Sequence, residues 1–348
     1  MGIFIMPSFH LFSQSDILSL VNKRIGETKI GEKVAVYDPI DETQGNHDLP
    51  FGKAISINTL KRSSARFVLL GIPEDIGVRA NHGQGGANTA WQPTLKALLN
   101  MQQNAFFNGE NILVLGEFRI PENHATDTES LRGNVSQIDD LVYPMIHAIV
   151  AAGKIPIVIG GGHNNCYPII KGTSLALNVK IDVLNIDAHA DLRNPEEGRH
   201  SGNGFSTAIA HGLLDQYRIL GLSQNYISQA QLDFIAQNNN VKAFYLEDLL
   251  AFQQDLRVAA EILLNRTKFP LGLEIDMDSI SGALSSASTP SGFTLNEVRQ
   301  LIMHLQRKFT YLHICEGAYQ LNDGQTDTNI GKKISLLVSD FIKSHQLV

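Results

Sequence analysis

The segment at residues 185–191, with the sequence NIDAHAD, places three possible metal ligands on alternate residues. Residues 181–186 leading into it are apolar and β-branched enough to form a buried parallel strand. Alternate residues of an extended chain point to the same side, so the side chains of Asp187, His189 and Asp191 are expected to converge. Two carboxylates held that close disfavour joint ionisation unless a cation is present. The segment indicates a cation site at the end of a strand, where open α/β sheets bind ligands; the alternative is a polar turn.

Two further segments end in residues of the same chemistry. Residues 155–163, IPIVIGGGH, are an apolar run that leads through three glycines to His163. Residues 271–278, LGLEIDMD, are another apolar run, with Asp276 and Asp278 on one face of a strand. The three segments supply four aspartates and two histidines, more ligands than one tetrahedral zinc ion needs. Because no cysteine is among them, the set favours a pair of octahedral divalent ions, and manganese rather than zinc.

Composition and charge restrict the class of protein. Hydrophobic residues make up 43% of the 348 residues and charged residues 18%, so a sizeable buried core is expected. The formal net charge of −7 argues against nucleic acid or an anionic membrane as the partner. Two cysteines, Cys166 and Cys315, rule out a disulfide framework and fit a reducing compartment. Residues 1–20 lack the basic leading region of a signal peptide, so a cytoplasmic protein without membrane spans is expected.

Short apolar runs alternate with longer amphipathic runs, which is typical of repeated β–α units. The pattern predicts an α/β fold with three αβα layers and a central, mostly parallel sheet of about eight strands. The predicted strands are residues 66–71, 112–116, 155–160, 181–186, 217–222, 241–245, 271–275 and 311–315. The predicted helices are residues 138–152, 229–238, 246–265 and 295–308. Residues 1–60 carry no motif and are predicted to form an N-terminal segment of unknown role.

The glycine run at residues 160–162 also invites a nucleotide-binding interpretation. A dinucleotide site requires the pattern GxGxxG at the start of a helix, but its third glycine position is Asn165 here, so this interpretation fails. Residues 71–86, GIPEDIGVRANHGQGG, are a second glycine-rich segment after a predicted strand. Taken by itself, that segment is equally typical of a flexible surface loop.

The combination of GGGH, DAHAD and DMD resembles the ureohydrolase superfamily of arginases, agmatinases and formimidoylglutamases. The resemblance extends over about residues 67–316. Within residues 71–86, the IPED segment is similar to the first active-site loop of formimidoylglutamases. The resemblance implies a single catalytic domain at residues 61–348, two Mn²⁺ ions per chain and a homo-oligomer, either a trimer or a hexamer.

The resemblance also implies which residues hold the two ions. One manganese ion would be bound by His163, Asp187, Asp191 and Asp276. The other would be bound by His189, Asp187, Asp276 and Asp278, so that Asp187 and Asp276 bridge the pair.

Two divalent ions close together can bind one water molecule and lower its pKa toward neutrality. The resemblance implies that the resulting metal-bridging hydroxide attacks the formimino or guanidino carbon of a small-molecule substrate. It further implies that Glu316, at the end of the last predicted strand, binds the substrate's cationic nitrogens. His200 either relays protons or is an ordinary surface histidine, because the unperturbed pKa of histidine suits both uses.

The residues after DAHAD bear on which substrate is cleaved. Arg193, in the sequence DLR, is like formimidoylglutamases, and a guanidinium suits the two carboxylates of formimidoylglutamate. Ser201 and Asn203, in the sequence SGN, resemble arginases instead, and all three residues are predicted substrate contacts. Phe205, however, replaces the histidine of arginases, and residues 279–282, SISG, follow Asp278 where arginases and agmatinases have a DP turn after the DxD strand. The sequence therefore favours hydrolysis of N-formimidoyl-L-glutamate to L-glutamate and formamide, as in histidine degradation; the alternative is an arginase or another guanidino-hydrolase that releases urea.

Two other classes of protein are compatible with parts of the pattern. A metal-binding protein without turnover would keep the ligands, but it leaves the presence of Glu316 beside a complete ligand set unexplained. A mononuclear zinc deacetylase on a related fold would need a tyrosine or histidine pair near one metal instead of a second set of aspartates. Counting the bound metal separates these classes: two manganese ions, one zinc ion or none.

Overall fold

One sheet organises the chain. The computed structural model describes residues 7–38, 48–50, 53–121, 127–305 and 307–346. Its strands are β1 (Ser8–Leu11), β2 (Ala35–Val36), β3 (Asp48–Pro50), β4 (Phe67–Gly71), β5 (Ile112–Arg119), β6 (Ile155–Ile159), β7 (Ile181–Ile186), β8 (Leu214–Leu222), β9 (Val241–Tyr245), β10 (Leu271–Asp276) and β11 (Tyr311–Cys315). The strand order is β3-β1-β5-β4-β6-β11-β10-β7-β8-β9, and β2 also pairs with β5. All pairs are parallel except those of β1, which runs antiparallel to β3 and β5.

Helices cover both faces of this sheet. They are α1 (Gln14–Ser19), α2 (Ile57–Arg62), α3 (Ile76–Ala80), α4 (Trp91–Leu99), α5 (Thr128–Ala151), α6 (Cys166–Leu177), α7 (Gly204–Ala210), α8 (Gln229–Gln237), α9 (Leu246–Ala251), α10 (Leu256–Leu264), α11 (Leu295–His304) and α12 (Ile330–Ser344). Phe67 and Leu69 of β4 pack in one core with α4, α10, α11 and α12, whereas Val68 and Leu70 pack in the other with α5, α6 and α7. The predicted three-layer α/β fold is confirmed. None of these helices is long and apolar enough to cross a membrane.

The central strands lie where the sequence predicted them. β7, β9 and β11 have the predicted bounds, and β4, β6 and β10 differ by one residue at one end. β4, β6, β7, β10 and β11 are buried along their whole length, as expected for parallel strands covered on both faces. The sheet has eleven strands in place of about eight, because the sequence analysis missed β1, β2 and β3. These are strands of two to four residues, too short for a periodic pattern.

One predicted helix is two helices in the structure. The predicted helix at residues 246–265 is divided into α9 and α10, because Gln253 adopts a left-handed φ of 46° and Asp255 caps the start of α10. The predicted helix at residues 138–152 begins earlier, at Thr128.

Part of the predicted N-terminal segment belongs to the central sheet. Phe9 of β1 packs edge-on against Phe118 of β5, with 4.8 Å between ring centroids. Gly116 permits this pairing: its φ is 144°, and a Cβ there would lie 1.9 Å from the carbonyl oxygen of His10. Residues 1–6, 39–47 and 51–52 of that segment lie outside the described residues.

Gly116→Ala is therefore expected to lower the free energy of unfolding by about 2 kcal/mol or more, since alanine combines a strained backbone with a clash. Urea unfolding measures the change. Gly133→Ala is the matched control, because Gly133 is exposed within α5 with open space around it. There alanine should stabilise the helix by about 0.5–1 kcal/mol. An unchanged stability of Gly116→Ala would contradict the pairing of β1 with β5.

Candidate metal centre

The carboxyl ends of four neighbouring strands meet in the middle of the sheet. β6, β11, β10 and β7 lie side by side and run parallel. β11 and β7 lead directly into Glu316 and Asp187, β10 ends at Asp276, and β6 leads through three glycines into His163. Because parallel strands bring their carboxyl ends to one edge of a sheet, segments far apart in the sequence become neighbours there.

Four side chains form the first of two clusters that contain carboxylates. The ligand atoms of His163, Asp187, Asp191 and Asp276 all lie within 4.8 Å of one another. The Nδ1 atom of His163 lies 3.1, 2.9 and 3.2 Å from one carboxylate oxygen of each aspartate in turn. A single ring nitrogen cannot donate to three carboxylates, and within the described chain Nδ1 has no aligned hydrogen-bond partner.

These separations fit a shared cation. Ligand atoms about 2.1 Å from an octahedral ion lie ~3.0 Å from one another along the edges of the octahedron. Burial of carboxylates without a counter-charge is costly. It raises the pKa of Asp276 well above its usual value, and the charges of Asp278 and Asp187 raise it further. A divalent cation would remove this conflict, so the residues present fit a bound metal.

Asp187, His189 and Asp278 form the second cluster, again with ligand atoms within 4.8 Å of one another. The Nδ1 atom of His189 lies 3.0 Å from Asp278 Oδ2 and 3.7 Å from Asp187 Oδ1. Burial disfavours a charged His189, but the charge of Asp278, its hydrogen bond and the charge of Asp187 outweigh burial and raise the pKa to about 11. By these distances Asp187 belongs to both clusters and Asp276 to the first. The bridging roles themselves stay predictions.

Turns of the backbone, and not an extended strand, bring the ligands together. The sequence pattern suggested an extended chain through Asp191, but β7 ends at Ile186. The amide of His189 then donates to Asp187 Oδ1 at 2.7 Å, and the amide of Asp278 likewise donates to Asp276 Oδ1 at 2.8 Å. Each turn therefore fixes Oδ1 of its aspartate, whereas Oδ2 of Asp187 and Oδ2 of Asp276 face His163 in the first cluster. Asp191 has a left-handed φ of 50°, the kind of backbone strain that gathers at functional sites.

The turn that carries His163 is fastened by Glu74, which the sequence analysis did not single out. One oxygen of this buried carboxylate accepts the amide of Gly162 at 3.0 Å and the side-chain amide of Asn165 at 2.7 Å. The other oxygen accepts the amide of Ile76 at 2.7 Å. Glu74 belongs to the IPED segment, so that glycine-rich loop is an ordered support of the site. An acid soon after a strand was the available signal, but its partners Gly162 and Asn165 lie 88 and 91 residues further along the chain, and the spacing does not reveal them.

A cavity of about 210 Å³ opens onto both clusters. Tyr226, about half exposed, forms part of its wall and stacks on the ring of His189 at a centroid distance of 5.5 Å. The cavity is also lined by His82, Asp191, Arg193, Ser201, Asp276, Asp278 and Glu316. Two of the three predicted substrate contacts, Arg193 and Ser201, therefore face the same space as the metal clusters.

Glu316 reaches into this cavity from the end of β11. Its backbone has a left-handed φ of 60°, and its amide donates to the carbonyl oxygen of Gly161 at 2.9 Å. Its Oε1 accepts the amide of His163 at 2.8 Å, and its Oε2 lies 3.4 Å from the hydroxyl of Ser286. Burial raises the pKa of Glu316 to about 8, assisted by the charge of Asp278 and opposed by the hydrogen bond from His163. A carboxylate in this position is suited to a cationic ligand.

His200 and Asn203 are predicted site residues that belong neither to the two clusters nor to the described residues that line the cavity. Asn203 is buried, and its side chain accepts from Arg199 and donates to the carbonyl oxygen of Gly198 at 2.7 Å. His200 is fully buried, so its interpretation as a surface histidine is wrong. Its Nδ1 accepts the amide of Gly202, and burial, with the nearby arginines, lowers its pKa to about 3. Both side chains support the turn, and the predicted relay role of His200 stays a prediction.

Phe205 also supports the site, because it is buried against the ring of His163. Its buried ring packs edge-on against the ring of His163 at a centroid distance of 5.1 Å and stacks on Tyr217 at 4.2 Å. The position at which arginases carry a histidine therefore packs against a candidate metal ligand in this chain.

Comparison with known proteins agrees with this geometry. A family model described as the arginase family matches residues 65–335. The chain belongs to the arginase family. Among curated members of similar sequence, the formimidoylglutamase of Chromobacterium violaceum is 28% identical over 232 residues, covering 65% of this chain and 70% of that protein. The formimidoylglutamase of Enterobacter sp. is 28% identical over 267 residues, covering 73% and 80%.

Solved structures share the arginase-family fold. Formimidoylglutamase from Bacillus subtilis has a TM-score of 0.69 at 18% identity, covering 94% of both chains. Trypanosoma cruzi formiminoglutamase with Mn²⁺ has a TM-score of 0.66 at 16% identity, covering 84% of this chain and 98% of that one.

The shared position of Asp187 generates a prediction for metal binding. Asp187→Asn should weaken Mn²⁺ binding at both clusters by more than about a hundredfold, which exceeds the usual cost of losing an outer hydrogen-bond partner of a metal ligand. Asp278→Asn should weaken mainly one ion. Equilibrium dialysis with Mn²⁺ and elemental analysis measures both. Asp233→Asn, on the exposed face of α8, is the matched control and should bind like the wild type. Two tightly held ions in Asp187→Asn would contradict its place in both clusters.

Proposed function

We propose that this chain is a two-manganese hydrolase that converts N-formimidoyl-L-glutamate to L-glutamate and formamide. Two candidate metal clusters and the carboxylate of Glu316 meet at one cavity, and this arrangement is the main support for the proposal. Similar relatives named formimidoylglutamase favour this activity among those of the arginase family. The manganese of the T. cruzi structure supports the choice of metal, as does a donor set of carboxylates and imidazoles.

The ligand assignment follows the two clusters. When bound, a pair of divalent ions would lower the pKa of water and supply a nucleophile at neutral pH. We assign one ion to His163, Asp187, Asp191 and Asp276, and the other to His189, Asp187, Asp276 and Asp278.

Glu316 orients the substrate in this proposal. Its Oε1 is occupied by the amide of His163, which leaves Oε2 to accept an N–H of the substrate's amidinium. A cation at this position favours the ionised carboxylate and so offsets the effect of burial on its pKa. His163 offers its amide to Glu316 and its ring to the first cluster, so the positions of substrate and metal are linked through one residue.

Arg193 is assigned to bind the end of the substrate that carries the two carboxylates. This exposed side chain lines the cavity, and Gly202 leaves room for it: a Cβ at Gly202 would lie 3.0 Å from Arg193 Cδ. The planar guanidinium can bind a carboxylate through two hydrogen bonds, which suits the dicarboxylate end of formimidoylglutamate. Ser201 lies nearby, and its hydroxyl accepts the side-chain amide of Asn81 at 3.3 Å.

The buried position of Asn203 weakens the arginase alternative. In the SGN segment only Ser201 faces the cavity, whereas the amide of Asn203 is fully engaged with the protein. The predicted substrate contact of Asn203 stays a prediction, and these hydrogen bonds do not favour it. A single catalytic domain at residues 61–348, a homo-oligomer and a cytoplasmic location remain predictions of the sequence analysis.

A substrate panel tests the proposed function. The manganese-loaded protein is incubated with formimidoylglutamate, arginine, agmatine and guanidinobutyrate, and formamide and urea are measured. Formamide from formimidoylglutamate is expected. Release of urea from arginine, with no formamide from formimidoylglutamate, would indicate an arginase instead. If the manganese-loaded protein formed no product, it would be a metal-binding protein without turnover.

Glu316→Gln should retain both ions but lower turnover by about a hundredfold or more, because it removes one preorganised electrostatic partner of the substrate. Steady-state kinetics and metal content are measured together. Glu129→Gln, an exposed carboxylate near the start of α5, is the control and should leave kcat unchanged. Full turnover by Glu316→Gln with its metal bound would refute the role of Glu316.

Arg193→Ala should raise the KM for formimidoylglutamate by about tenfold or more, since a hydrogen bond to a charged group contributes roughly 1.5–3 kcal/mol. Arg193→Lys keeps the charge but loses the paired donors, so it should recover part of the affinity. The KM for agmatine, which has no carboxylate, should not change. Equal KM values for formimidoylglutamate in wild type and Arg193→Ala would exclude this contact.

A further inference from the structure

Glu274 is a buried carboxylate that the ligand assignment does not use. It lies on β10 two residues before Asp276, and its side chain is fully enclosed. Its Oε1 accepts the hydroxyl of Tyr311 at 2.8 Å, and its Oε2 lies 2.6 Å from His313 Nδ1. The same Oε2 lies 3.5 Å from His163 Nε2. A carboxylate placed in the middle of a sheet is costly to bury, and hydrophobic packing gives no reason for it.

The position of Glu274 answers a requirement of His163. The Nδ1 atom of that ring faces the three aspartates of the first cluster, whereas Nε2 faces Glu274 on the opposite side. A histidine binds a metal through an unprotonated nitrogen, so its proton must be on the other one. A carboxylate beside Nε2 favours the proton there and leaves the lone pair of Nδ1 for the cluster.

We infer that Glu274 is a positioning residue that holds His163 as a metal ligand through Nδ1, and that Tyr311 and His313 hold Glu274 in place. The inference rests on the proposed function, in which His163 binds one of the two ions. Glu274 itself cannot bind that ion, because the imidazole ring of His163 lies between them.

The arrangement predicts an effect on one ion only. His189 is the histidine of the second cluster, and its Nδ1 faces Asp278 and Asp187 without any described contact to Glu274. Loss of the carboxylate at Glu274 should therefore weaken the ion at His163 and leave the ion at His189 largely unaffected.

The test is a calorimetric titration of the metal-stripped full chain with Mn²⁺, resolved into two binding steps. Glu274→Gln has nearly the same shape and can still accept the hydroxyl of Tyr311. It should weaken one step by about 10–100-fold, the usual cost of losing the outer partner of a ligating histidine, and change the other by less than about threefold. Tyr311→Phe, which removes only an anchor of Glu274, should weaken the same step to a smaller degree.

Asp340→Asn is the matched control for the loss of a buried carboxylate. Asp340 of α12 accepts from Arg299 of α11 at 2.6 Å, and neither residue belongs to the two clusters. This variant should lower the unfolding temperature of the metal-free protein without changing either binding step. Glu274→Gln should instead weaken one binding step without lowering the unfolding temperature of the metal-free protein.

The outcomes separate the inference from the proposed function. If the wild type bound two ions and Glu274→Gln bound them with equal affinity, the inference would be overturned and the proposed function would stand. If both steps weakened together in Glu274→Gln, selective positioning of His163 would also be overturned. A wild-type chain that binds no Mn²⁺ would instead overturn the proposed function, and the inference with it. Where Glu274→Gln does not fold, Tyr311→Phe decides by the same criteria.

Discussion

Four aspartates held against one another at the carboxyl edge of the sheet are the constraint on which the rest of the site depends. Asp187, Asp191, Asp276 and Asp278 meet two histidines where little water can screen their charges. Burial and neighbouring charges raise the pKa of Asp276 and of Asp191, so the set does not accommodate four anions by itself. Cations resolve this repulsion, which is why metal binding and the shape of the site are coupled.

The surrounding protein determines where each ligand atom points. Backbone amides hold one oxygen of Asp187 and one of Asp276, and the left-handed backbone at Asp191 turns that chain segment back into the cluster. Glu74 fastens the glycine-rich turn that carries His163. We place Glu274, beside Nε2 of that histidine, in a similar supporting role. The site is therefore built on strand ends, and two buried carboxylates outside the ligand set support the position of His163.

The sequence predicted the parts of this structure that depend on local pattern. Apolar runs identified the central strands, and the residue types after β7 indicated the ligands, because both are local features of the sequence. The extended backbone expected through Asp191 was wrong, since turns after Ile186 bring the ligands together. Contacts between distant segments were not predictable: Glu74 meets Gly162, and Asn203 is turned away from the cavity by Arg199. His200 shows the same limit, since its burial depends on how the segment after DAHAD folds back. The shortest strands, β1 to β3, have too few residues to show a period.

In the proposed function, these strand ends hold two metal ions as one coupled pair. Electron paramagnetic resonance of the metal-stripped protein during addition of Mn²⁺ tests it most directly. The second equivalent is expected to replace the spectrum of an isolated ion with the spectrum of two spin-coupled ions, as the proposed bridging role of Asp187 requires. A spectrum of isolated Mn²⁺ at two equivalents, or saturation at one ion per chain, would contradict it.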